Sequence, residues 1–376
     1  LESFRFSLKF GNFNFLFIFL SKFIHISMTD IYKRPSDATA LVAVEPSAKR
    51  GRYEVAVRQE DQHGPRRTTN LQSPIMLLTG HEGEIYTAKF SHDGKYLASA
   101  GFDMKILFWN TYGECENFSN IKGHKGAIMD IQFSFDEAYL YSASTDKTLR
   151  AWDLETGKCV RNIKSHTDFV NSCYPARRGP PLVLSGGDDG MIFVHDLRKK
   201  DPAIEIANYE KFQILGVTFN DTSDLAFGGG IDNCIHAWDL RKNQVVYSLV
   251  GHTDTITGLA LSPRGEYLLS NSMDCTGRVW DVRPFATDDR LKGVYGGHQH
   301  NFEKNILKCA WSADSRWITC GSSDCFSYVW DVKTKEIVYK LPGHQGSVNA
   351  VDFHPFEPII LTGSSDKKIY LGELEP

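Results

Sequence analysis

The sequence predicts an all-β protein, a seven-bladed β-propeller closed by a strand from the start of the domain. Three observations predict it. Aromatic–acid or related pairs close short apolar runs at Trp109-Asn110, Trp152-Asp153, His195-Asp196, Trp238-Asp239, Trp280-Asp281 and Trp330-Asp331, at steps of 43, 43, 43, 42 and 50 residues. A Gly-His or Ser-His pair precedes most of them: Gly80-His81, Gly123-His124, Ser165-His166, Gly251-His252, Gly297-His298 and Gly343-His344. Short strand-like runs separated by turn residues fill each interval, as a four-stranded antiparallel blade requires. A repeat of this length describes units that pack only on their neighbours, so 376 residues need no single large core.

The chain divides at 27 and 72. Residues 1–27 are rich in phenylalanine, and Asn12–Leu20 is their most apolar part. That run is about half of the ~20 residues a membrane span needs, and no small-residue cleavage site follows it. The character changes at Met28, so residues 1–27 are expected to be translated upstream sequence or a gene-model artefact. Residues 28–72 lack sustained periodicity and are expected to form a disordered basic arm. Its clusters Lys33-Arg34-Pro35, Lys49-Arg50-Gly51-Arg52 and Pro65-Arg66-Arg67 suit nuclear import or partner contact, or simply a solvated tail.

Residues 73–376 form the propeller. The unit is clearest at 124–166, with strands expected at Ile128–Phe133, Tyr139–Ser144, Thr148–Asp153 and Cys159–Ile163. The fourth unit has Asn208-Tyr209 in place of Gly-His, and the seventh has Gly372-Glu373 in place of Trp-Asp. The seventh also stops one strand short. Pro74–Leu78 lies just before Gly80-His81 and is available to pair beside Lys368–Leu371, leaving no open edge.

Bulk chemistry excludes several classes. Formal net charge is −4; the propeller carries 31 basic against 39 acidic residues, which gives no general attraction for phosphate. Eight scattered cysteines show no metal-type spacing and read as small buried residues of a reducing compartment. Gly228-Gly229-Gly230 lacks the Lys-Ser/Thr of a phosphate loop and reads as a crowded blade interior. Nothing calls for a cofactor, a metal, a membrane or a small-molecule substrate.

Seven aspartates recur at equivalent places: Asp103, Asp146, Asp189, Asp232, Asp274, Asp324 and Asp366. Four residues earlier stand Ser99, Ser142, Ser185, Gly228, Ser270, Cys320 and Thr362. Ser, His and Asp together suggest a nucleophilic triad, but a triad is needed once and not in several units. The chain is therefore read as non-catalytic.

The repeat signature resembles the WD40 family. That resemblance implies that each Asp holds a tight turn and accepts from the His, with Ser/Thr and the Trp indole continuing the network. Complete sets are His81, Ser99, Asp103, Trp109; His124, Ser142, Asp146, Trp152; and His252, Ser270, Asp274, Trp280. Blades four and six, with incomplete sets, are expected to be less rigid. The resemblance also places the residue before each Asp on the top rim: Phe102, Thr145, Asp188, Ile231, Met273, Ser323 and Ser365. Phe102, Ile231 and Met273 are expected to be exposed there, joined by Phe169, Phe212 and Phe302 from neighbouring loops, as a partner-binding surface. Asp188 reads as an exposed neighbour of Asp189. Two insertions, in Arg283–Gly296 and between His298 and Trp311, add candidate loops. On the opposite rim, Arg177-Arg178-Gly179-Pro180-Pro181 is a basic turn that could touch RNA or an acidic partner.

From Met28 onward the chain is similar to the WD-repeat subunits of the U5 small nuclear ribonucleoprotein. The runs Gly80-His81-Glu82-Gly83-Glu84-Ile85-Tyr86, Ser144-Thr145-Asp146-Lys147-Thr148-Leu149-Arg150-Ala151-Trp152-Asp153 and Gly297-His298-Gln299-His300-Asn301-Phe302 carry that likeness, with the first two basic clusters of the arm. It implies a nuclear, non-catalytic scaffold in pre-mRNA splicing, bound to the large scaffold protein of the U5 particle and other spliceosomal proteins, with RNA contact mainly indirect. A second resemblance stands beside it. Trp238-Asp239-Leu240-Arg241 and Trp280-Asp281-Val282-Arg283 resemble the Trp-Asp-x-Arg box of substrate receptors for cullin-RING ubiquitin ligases, which implies as the alternative such a receptor or another WD40 adaptor.

Overall fold

The computed structural model describes residues 69–207, 211–286 and 289–374. These belong to one unit, His63–Pro376. The segment 1–27, the basic arm up to residue 68 with Lys33, Arg34, Lys49, Arg50 and Arg52, the pair Asn208-Tyr209 and Asp288 lie outside the described residues. Residues 69–72, expected in the disordered arm, instead pack on the propeller, with Leu71 buried and Asn70 bonded to Glu357.

Seven antiparallel sheets of four strands each make up the described residues. Blade one runs Ile85–Phe90, Tyr96–Gly101, Lys105–Asn110 and Asn117–Lys122, from the axis outward. The other innermost strands are Ile128–Phe133, Val170–Pro175, Ile214–Phe219, Ile256–Leu261, Cys309–Trp311 and Val348–Phe353. Each packs on the next, and the seventh packs on the first, so the ring is complete. The second and third strands of a blade are buried on both faces, whereas the outer strand buries only part of one. Small residues therefore recur in second strands, where a neighbouring blade presses close. A Cβ on Gly228 would stand 2.8 Å from the Ile192 side chain and 2.9 Å from the Trp238 ring, and one on Gly230 would collide with the Gln213 carbonyl. The triple glycine is a packing feature.

The apolar core lies in the seams between blades. Between blades one and two, Ala98, Ile106 and Phe108 meet Ile131, Phe133 and Trp152. Between seven and one, the closing strand Ile75–Thr79 pairs antiparallel with Lys368–Glu373, Leu78 facing Ile369. Leu71 and Leu78 are buried there with Leu361, Ile369 and Leu371. Polar bonds stitch the same seam near the axis: Asn349 Nδ2 donates to the Ile85 carbonyl at 2.9 Å, and Lys89 Nζ lies 3.0 Å from Asp352 Oδ1.

Candidate protein-binding site

The recurrent polar sets hold the loops that make one rim of the ring. In blade two, His124 Nδ1 lies 2.9 Å from Asp146 Oδ2, and its Nε2 lies 2.6 Å from Ser142 Oγ. The Trp152 indole N–H donates to that same oxygen at 2.8 Å, so the serine hydroxyl donates to the histidine and the ring proton goes to the carboxylate. His81, Ser99, Asp103 and Trp109 repeat the arrangement, as do His252, Ser270, Asp274 and Trp280. Burial alone would raise the Asp146 carboxyl. The bonds from His124, from Thr148 and from the Lys125 amide overrule it and hold the group well below the usual carboxylate range. Every donor and acceptor is consumed by a neighbour, which makes this a structural clamp with no free nucleophile.

Blade four keeps a clamp of another design. His236, on the third strand, puts Nε2 2.7 Å from Asp232 Oδ2 and Nδ1 2.7 Å from Ser248 Oγ. In blade six the Tyr328 hydroxyl donates to Asp324 at 2.6 Å, and the ring stacks on Trp330. His298 turns instead to Asn271 of blade five, at 2.8 Å. Both replacements are single residues with no repeat to flag them in the sequence.

The rim positions share one backbone bond. The amide of each residue before the turn aspartate donates to the loop entering its blade: Phe102 to Glu84 at 2.8 Å, Ile231 to Gln213 at 3.2 Å, Met273 to Thr255 at 2.8 Å. Phe102 is 62% exposed and Phe302 91%; Phe169, Phe212 and Ile231 are also exposed. Met273 departs from the expectation, because it is only half-buried rather than exposed. The long loop of blade six lies over its turn, with the His300 amide 3.4 Å from Cys275 Sγ. Asp188 departs too. It is half-buried, and its carboxylate accepts from Asn171 Nδ2 at 2.6 Å. Burial and the nearby Asp168 and Asp189 raise it above the usual carboxylate range.

On the opposite rim the basic turn is already occupied. The Arg177 guanidinium reaches from blade three to blade five and donates to the carbonyls of Leu261 at 3.0 Å and Ser262 at 2.8 Å, while Arg178 pairs with Asp221 at 3.0 Å. Arg177 is thus spent on the fold. Above it an axial cavity of about 590 Å³ is lined by Lys89, Asp130, Lys308 and Asp352, whose charges pair as Lys89–Asp352 and Lys308–Asp130. The insertion after Asp281 projects Phe285 fully into solvent. Its Arg283 is bound to Asp281 at 2.5 Å and lies over the Tyr267 ring, whereas Arg241 pairs with Asp224 at 2.9 Å. All eight cysteines are free thiols; Cys115, Cys173, Cys309 and Cys320 are buried, but Cys159 is exposed, against the reading of the group as buried. Among the described residues no group of three His, Cys, Asp or Glu side chains is arranged to hold a metal ion.

This architecture defines a WD-repeat propeller, and the family model for the WD domain, G-beta repeat, matches residues 72–110, 115–153, 157–196, 243–281, 290–331 and 335–371. The stretch 197–242 lies outside those matches, yet it holds three strands of blade four. The chain is 53% identical over 343 residues to the U5 small nuclear ribonucleoprotein 40 kDa protein of Mus musculus, covering 91% of this chain and 95% of that protein. It is 50% identical to the protein of the same name from Dictyostelium discoideum, over 83% of this chain and 88% of that one. Pre-mRNA-splicing factor cwf17 of Schizosaccharomyces pombe is 44% identical, over 82% and 90%. The chain belongs to the family of U5 small nuclear ribonucleoprotein 40 kDa WD-repeat proteins.

Proposed function

We propose that the chain is a nuclear, non-catalytic scaffold subunit of the spliceosome that holds protein partners on its top rim. The observation that carries this reading is the pairing of near full-length likeness with exposed aromatics converging on one rim. Phe102 and Phe302 are the strongest anchors, since they are the most exposed apolar side chains of this rim and gain most from burial in a partner. The large scaffold protein of the U5 particle is the main partner, and RNA is held mainly through it. The propeller's excess of acidic residues supports that order. The basic clusters of the arm, at Lys33-Arg34 and Lys49-Arg50-Gly51-Arg52, serve import or contact with neighbouring subunits.

Affinity purification of tagged residues 28–376 from nuclear extract, with and without ribonuclease, tests this. The large scaffold protein is expected in both samples, and the double variant Phe102→Glu/Phe302→Glu is expected to lose it while its unfolding curve stays unchanged. Recovery only without ribonuclease would place RNA between them. Undiminished recovery by the double variant would move the interface off this rim.

A further inference from the structure

A groove lies away from the top rim, in the seam between blades one and two. It has a volume of about 510 Å³ and opens near the turns opposite the top rim. Its floor is the Phe108, Phe133, Ile121 and Leu154 side chains, and its wall is Tyr96 and Phe118. Phe118 is 53% exposed and Tyr96 42%, with their rings 5.3 Å apart. The charged residues lining the groove are Asp93, Glu137 and Glu155; Asp93 is already paired with Lys95, at 2.9 Å.

Other blades show how such a ring is covered. Tyr96, Tyr139, Tyr267 and Trp317 are register equivalents, each opposite the last residue of its Trp-Asp or Trp-Asn pair. Tyr139 is packed into an apolar cluster with Ile163 and Leu197. Tyr267 lies under the guanidinium of Arg283 at 5.8 Å, and Trp317 under that of Arg316 at 5.3 Å. Both arginines are held by the acid of the pair, Asp281 or Asp331. Blade one has Asn110 in place of that acid, and Tyr112 where blade five has Arg283. Tyr112 turns away to donate to Glu357 at 2.9 Å. Among the described residues no cation lies over Tyr96 or Phe118. The fold thus presents an aromatic pair, an apolar floor and carboxylates together, without the arginine that lies over Tyr267 and Trp317 or the apolar cover of Tyr139.

We propose that this groove docks an extended segment of a protein partner, which lays an arginine over Tyr96 and Phe118 and an aliphatic side chain on the Phe108–Phe133 floor. The guanidinium supplies what the site lacks. Its planar face stacks on the rings, and its N–H groups reach Glu137 and Glu155. An RNA strand does not fit, since its phosphates would meet the carboxylates of Glu137 and Glu155.

The test uses the full chain and a fluorescein-labelled Leu-Arg-Leu-Arg-Leu peptide, followed by anisotropy. The peptide is expected to bind, its lysine counterpart more weakly, and its glutamate counterpart and a single-stranded RNA dodecamer not at all. Phe118→Ala should weaken binding by about tenfold, and Glu155→Lys by at least as much. Phe102→Glu should leave it unchanged, which separates this groove from the top rim. In the assembled particle, p-benzoylphenylalanine at position 118 should crosslink to an arginine-bearing segment of one protein. Equal binding by Phe118→Ala and wild type, stronger binding of the RNA, or a crosslink to RNA would each overturn the proposal.

Discussion

Ring closure rests on one short strand, and Leu78 is its anchor. Along Ile75–Thr79 the side chains alternate. Leu78 is 3% exposed and packs with Ile369 and Leu371, whereas its neighbour Leu77 is 49% exposed. Truncating a buried leucine removes its transfer free energy and leaves a cavity, so Leu78→Ala should cost about 3 kcal/mol. Leu77→Ala, one residue away on the solvent side, should cost less than about 1 kcal/mol. Urea unfolding gives the two losses, and hydrogen exchange locates them. In the Leu78 variant the amides of Lys368–Glu373 should lose protection first, because their partner strand is Ile75–Thr79. Blade four, on the far side of the ring, should keep its protection until global unfolding. Equal losses for the two leucines, or unchanged protection over residues 368–373, would refute closure by this strand.

Two further outcomes follow from the polar clamps. Asp146→Ala strands the donors of His124, Lys125 and Thr148 in a largely buried site, and should lower stability by about 2–4 kcal/mol without touching Phe118 or Phe102; a loss under about 0.5 kcal/mol in denaturant titration would contradict the clamp role. Stability should also fall with pH through the histidine range. His298 is 1% exposed with its Nδ1 unpartnered, and burial, then His300, pushes its pKa down to about 4. Between the unfolded value of 6.5 and about 4 the unfolded chain binds a proton that the native chain refuses, so stability is full above the upper value and declines towards the lower. That decline is worth up to about 3 kcal/mol for His298, and His300 adds to it in the same direction. The depressed carboxylates Asp146 and Asp274 act in the same sense, but only below the ordinary carboxylate range. Unfolding midpoints at several pH values between 7 and 4 should therefore fall, and less steeply in His298→Asn; a flat profile would contradict the assignment.

Much of this molecule was legible in one dimension. A propeller repeats a local unit, so strand length, turn chemistry and the Ser–His–Asp–Trp spacing all sit within about 43 residues of sequence. The missing strand of the seventh unit, together with the spare run at Pro74–Leu78, made closure readable, because an open edge needs a partner. What sequence could not supply was the competition between side chains brought together across blades. Arg177 looked free and is held by carbonyls of blade five. Asp188 and Met273 looked exposed and are half-buried, Asp188 beside Asn171. His236 restores a clamp that blade four was expected to lack. The groove beside Phe118 lies between blades one and two, and among the described residues its Tyr96 has no guanidinium over it such as Tyr267 and Trp317 have. Repetition wrote the fold into the sequence; the departures from repetition acquired their meaning only where neighbouring blades met, because burial and hydrogen-bond supply are properties of the seams and not of the strands.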